Sequence, residues 1–208
     1  LFDEKLCEQG RNFSNKIWNA FRFLTMNMEE GEDYQPASDF DENSLVDRWM
    51  AARIHQTIKN VDQDFSNYRP NDALKKIYSL LWDDFFDWYI ELIKPAEYGQ
   101  KIPKRKLEVA LGFFEELMRM LHPFMPFITE EIWQYINNRS EDEALIVSDW
   151  PEYNKELDRA ADIAEFSMIQ KMVSAIRNIR AEANISPKTE LKVLIHTKDE
   201  KIAQLLQN

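Results

Sequence analysis

The residues best suited to chemistry fall in one stretch, Gly10 to Leu24, GRNFSNKIWNAFRFL. At about 100° per residue, Phe13, Ile17, Ala20 and Leu24 share a single apolar stripe of a helix. The opposite stripe carries Asn12, Lys16, Asn19 and Phe23, with Asn15 and Arg22 beside it and Trp18 and Arg11 on the flank near Arg22. Asn is a mediocre helix former, so repeating it along one face costs stability that Glu or Lys would not. Its amide both donates and accepts, which suits reading the edge of a nucleobase. Phe23, on a polar face, can stack on an unpaired base, worth roughly 1–3 kcal/mol. Arg11, Lys16 and Arg22 supply positive charge for phosphates. The same residues also allow a plain structural reading, in which Phe23 and Trp18 pack on a second helix and the amides are capping or solvated.

Other candidate chemistry is sparse. Asp83, Asp87 and Glu91 recur at i, i+4 and i+8, a spacing that aligns three carboxylates for a metal or for acid–base work. A solvated face, or pairing to basic side chains of a neighbouring helix, explains them better and is the reading adopted. His55, His122 and His196 fall on three different elements, with no metal-binding spacing among them. His122 reads as a structural hydrogen-bonder. There is no phosphate-binding Gly loop and no Ser/His/Asp or Cys/His set. The single cysteine, Cys7, has no His partner; it excludes an internal disulfide and points to a reducing compartment. No catalytic or metal site is expected in this piece.

The elements that must position the first stretch are helices. With 208 residues, 44% hydrophobic and 12% aromatic, the chain holds enough apolar side chains for a sizeable core, and four glycines with few β-branched runs favour helix over sheet. Helices are expected at about 10–28; from a cap at Asn43 or Ser44 to before Pro70; at 73–93, capped by Asp72; and at 104–121. A short helix capped by Thr129 and a long one at 155–183 follow. Residues 29–43 are an acidic surface loop with Gly31 and Pro36. The run His122-Pro123-Phe124-Met125-Pro126-Phe127 combines helix breakers with apolar side chains, so it reads as a packed corner and a candidate protein-docking surface. Residues 144–148 read as a short strand or extended linker, 191–197 as a strand, and 199–206 as a further helix.

A net charge of −11 argues against a protein that coats nucleic acid indiscriminately. It is compatible with a local basic patch on an acidic body, which repels wrong dockings. The longest apolar runs are too short to span a bilayer. Without an initiator Met, Leu1 reads as an internal boundary of a longer chain.

GRNFSNKIWNAFRF resembles the first helix of the anticodon-binding domain of the valyl-tRNA synthetase family. The likeness continues, in the family's order, through NSLVDRWMAARI, LLWDDFFDWYIELIKP, LHPFMPFITEEIWQ and IRNIRAEANISP. Leucyl and isoleucyl enzymes carry related domains, but the Arg-Asn-Phe opening with Asn-Lys-x-Trp-Asn-Ala is most similar to the valyl branch. The resemblance implies a mainly α fold: an antiparallel helical bundle at 1–143, then at 144–208 a linker, a long helix and the start of a small α/β subdomain.

It implies tRNA(Val) as partner, with the anticodon loop contacted by Arg11, Asn12, Lys16, Asn19, Arg22 and Phe23. It also implies ATP and Mg²⁺ as cofactors of the full-length enzyme though not of this piece, catalytic and editing domains elsewhere in the chain, a cytoplasmic location and a monomer. The family's catalytic signatures are absent from these residues. A second basic feature, Arg177, Arg180 and Lys188, could touch tRNA or bridge to the acidic third helix; the bridge is the favoured reading.

Overall fold

A computed structural model of the chain describes residues 4–194, apart from 96, 98, 138, 141, 187 and 188. The fold is a helical bundle, and no strand occurs among the described residues. The chain divides into two compact units, Leu1–Arg159 and Ala160–Asn208. The first unit includes residues 149–159, which are tied to it by side-chain bonds given below.

Helix α1 spans Glu4–Met26, a longer run than the sequence suggested. Its apolar stripe is buried as the spacing requires: Phe13, Ile17, Ala20 and Leu24, joined by Phe21. The loop that follows packs across a later helix, α4 (Lys104–Leu121). There the Ala37 N–H donates to the Glu108 carbonyl at 3.0 Å, and the Ala37 carbonyl presses on Gly112. A Cβ at Gly112 would lie 2.0 Å from that oxygen.

Helix α2 spans Leu45–Ser66, and the Ser44 hydroxyl caps it by accepting the Asp47 N–H at 3.3 Å. Trp49, Met50, Ala52, Ile54, Ile58 and Val61 are buried along it. The third rod, α3, differs from expectation. It runs as α-helix over Pro70–Ser79, as π-helix over Leu80–Tyr89, and ends with Ile90–Leu92. Asp72 does not cap it. Pro70 takes the first turn, where its missing N–H costs nothing, and Asp72 instead accepts from Arg69 Nε at 2.7 Å. The π stretch adds residues to each turn, so Leu92, on the apolar face at α spacing, ends turned to solvent. Ile77, Leu81, Phe85 and Tyr89 remain buried.

Asp47 is 1% exposed and fastens three elements. Its carboxylate accepts the Tyr89 hydroxyl at 3.0 Å and the Lys106 ammonium at 2.6 Å. Burial, and then the Asp47 charge beside it, push the Tyr89 phenol well above its ordinary range.

Helix α5 spans Pro126–Ile136, with Pro126 in its first turn. Thr129 is therefore inside the helix rather than its cap; its hydroxyl donates to the Met125 carbonyl at 2.9 Å and sits 2.7 Å from His122 Nδ1. In the Pro-rich corner Phe124 stacks on Phe65 at 6.2 Å, while Phe127 is 90% exposed. Leu145–Val147 form a 3₁₀ turn, not a strand. Residues 149–159 then lie along α2. Trp150 Nε1 donates to Asp62 at 2.9 Å, the Asn154 N–H donates to His55 Nδ1 at 3.3 Å, and Lys59 pairs with Asp158 at 3.4 Å. In the second unit, α6 spans Ala160–Glu182. Arg180 donates to the Thr189 carbonyl at 2.8 Å, closing the chain behind its own helix. Residues 191–194 have no regular structure, and Lys188, most of the expected strand at 191–197 and the helix at 199–206 lie outside the described residues.

A cleft of about 830 Å³ in the first unit is lined by Phe40, His55, Phe113, Glu116, Trp150 and Tyr153, among others. Burial pushes the Glu116 carboxyl from 4.5 up to about 7, against the opposing pull of Arg119. Between those values the unfolded chain releases this proton while the folded chain keeps it. The contribution of Glu116 to stability is thus full below about 4.5 and is lost as pH rises through about 7. Glu116→Gln is expected to flatten that part of the stability–pH curve and to raise stability at pH 8 by about 1–2 kcal/mol, a value reduced for partial solvent screening; denaturant titrations across pH check it. Gly112→Ala is expected to cost roughly 1–3 kcal/mol, because backbone rather than a mobile side chain must give way. A melting temperature equal to the parent's would contradict that close approach.

Candidate nucleic-acid interface

Helix α1 divides cleanly around its circumference. One arc is buried against the bundle, and the other holds Arg11, Asn12, Asn15, Trp18, Asn19 and Arg22, all exposed. The sequence stripe is thus a real surface, and the two residues at its edge behave differently from the rest. Lys16 pairs with Asp87 at 2.6 Å and lies 3.8 Å from the centre of the Trp82 ring. Its ammonium holds α1 against the π-helical part of α3. Phe23 is half-buried, with the Lys94 ammonium 5.4 Å from its ring centre. A groove of about 210 Å³ runs between these helices, lined by Lys16, Asn19, Phe23, Phe86, Ile90 and Lys94 among others.

Carboxylates of α3 serve these contacts rather than gathering as a site. Asp87 takes Lys16, Asp83 accepts from Ser79 at 2.5 Å, and Glu91 pairs with Lys94. Among the described residues no group of three His, Cys, Asp or Glu is placed to hold a metal. His55 accepts a backbone N–H, and burial lowers its proton affinity, as it does for His122.

The cations sort in a telling way. Arg11 pairs with Glu8 at 3.3 Å, both side chains well exposed, a contact water readily opens. Arg22 is exposed and has no carboxylate, carbonyl or ring partner among the described residues. Within the first unit only Lys155 shares that state; the other described Lys and Arg side chains are engaged. A free guanidinium on an acidic protein is a place where an anion meets little competition.

Two contributors were not singled out from the sequence. Lys94 follows a helix break, and nothing local signals that it reaches Phe23. Tyr135 of α5 is 68% exposed and meets buried Phe21 edge-on at 5.8 Å, while Phe21 meets Trp18 at 5.2 Å. Only the packing of α5 on α1 makes these rings neighbours.

Comparison with known proteins bears on this geometry. The family model described as the anticodon-binding domain of tRNA ligase matches residues 47–195, beginning after α1. Relatives match α1 as well. The valine–tRNA ligase of Oceanobacillus iheyensis is 41% identical over 208 residues, 99% of this chain and 23% of that protein. Those of Phocaeicola vulgatus and Parabacteroides distasonis are 44% and 42% identical, over 94% and 93% of this chain and 21% of each protein. The chain thus spans about a fifth of the length of the curated relatives it matches. With a family match over most of its residues and such similarity along nearly its whole length, the chain belongs to the family of tRNA-ligase anticodon-binding domains.

Proposed function

We propose that this chain is the anticodon-binding region of a valine–tRNA ligase and that the outward arc of α1 receives the anticodon loop of tRNA(Val). The observation that carries the reading is the uncovered row of Asn12, Asn19 and Arg22 beside the Phe23 groove. An unpaired base entering that groove finds an aromatic edge in Phe23 and an amide in Asn19 able to donate to and accept from its Watson–Crick edge. Arg22 is free to hold a phosphate, and Arg11 joins once it leaves Glu8. Lys16 braces the groove wall through Asp87. Asn12 lies two turns before Asn19, about 10 Å along the helix. Catalysis, with its ATP and Mg²⁺, belongs to other parts of the full protein, and no step of it is assigned to these residues.

The test is titration of this chain with tRNA carrying a valine anticodon. Binding should weaken when the middle anticodon base is replaced. Arg22→Gln should weaken binding to matched and mismatched tRNA alike and lower the salt slope by about one. Asn19→Ala should cost about 1–3 kcal/mol of binding and relax the base preference. Phe23→Ala should lose affinity with only a modest fall in melting temperature, since the ring is half-buried; a steep fall with unchanged affinity per folded molecule would make Phe23 core alone. Equal binding of every tRNA would reduce the reading to a charge effect.

A further inference from the structure

The outward face of α5 carries Phe127, Glu131 and Tyr135 at i, i+4 and i+8, all exposed. The two rings stand about 12 Å apart along the axis, in opposite electrostatic settings. Phe127 shares its end of the helix with Glu130 and Glu131, which disfavour a polyanion. Tyr135 lies at the other end, where it abuts α1. Buried Phe21 supports a ring on each side, Tyr135 at 5.8 Å and Trp18 at 5.2 Å. Trp18 in turn is one helical turn from Arg22, whose side chain has no partner among the described residues.

We infer that Tyr135 and Trp18 form a second stacking position for an unpaired RNA base, separate from the Phe23 groove and on the opposite edge of the same α1 surface. This rests on the proposed RNA-binding role of α1. Both rings are exposed, Tyr135 by 68% and Trp18 by 38%, so a base can reach their faces. Both are held by Phe21, so stacking on them forfeits little side-chain freedom. Arg22 supplies the complementary charge for the phosphate of the base that lands there. The position is sequence-tolerant, since every base offers a π face and the rings present few hydrogen-bonding groups. It would serve a loop base next to those read by the amides of α1.

The experiment is fluorescence anisotropy of a labelled anticodon stem-loop titrated with the chain and with Tyr135→Ala, Tyr135→Phe, Phe127→Ala and Arg22→Gln variants. Expected is a loss of about 10-fold or more for Tyr135→Ala, near-parental binding for Tyr135→Phe, which keeps the ring, and no change for Phe127→Ala. Melting curves should match, because both α5 side chains are on the surface. If Arg22→Gln weakens binding while Tyr135→Ala does not, the second position is wrong and the α1 reading stands; Tyr135 then belongs to a protein contact. A stem-loop that binds parent and variants equally poorly overturns the α1 reading and this inference with it.

Discussion

Much of the first unit is oriented by one buried carboxylate. Asp47 receives a hydroxyl from Tyr89 on the π-helical rod and an ammonium from Lys106 on α4, while its own N–H is taken by the Ser44 cap of α2. A charge this deeply buried is costly unless its lone pairs are all met, and removing one partner of such a group typically costs about 3–5 kcal/mol. The consequence is directional. With Tyr89 pinned, the rotation of the π stretch is fixed, and so is the face bearing Trp82, Phe86 and Asp87. That face meets Lys16. The bond that orients α1 is thus set by a carboxylate on a different helix.

The proposed interface works by contrast with its surroundings. A chain of net charge −11 repels RNA over most of its surface. Nearly every cation in the first unit is matched to an acid, which cancels its attraction at a distance. Arg22 is not matched, and it lies among amides and aromatic rings rather than carboxylates. Discrimination then comes from two sources: general repulsion that rejects wrong dockings, and short-range stacking and hydrogen bonding that only an unpaired loop can satisfy.

The π-helical segment belongs to the same design. Such segments are rare beyond a single turn and recur near functional sites. Here Phe86, within it, and Ile90, just past its end, line the Phe23 groove.

The chain's own pattern determined a good deal. The 3.6-residue spacing of Phe13, Ile17, Ala20 and Leu24 marked the buried side of α1, the Ser44 cap marked the start of α2, and the expected bounds 104 and 121 are those of α4. The outward row of Asn12, Asn19 and Arg22 was legible for the same reason: local periodicity fixes which side chains share a face. Tertiary packing decided what periodicity cannot encode. It spent Lys16 on Asp87 and half-covered Phe23 with Lys94. It also brought Tyr135 beside Phe21, across more than a hundred residues of sequence. Each of these is a meeting of side chains from separate elements, and only the folded backbone sets the distance between them.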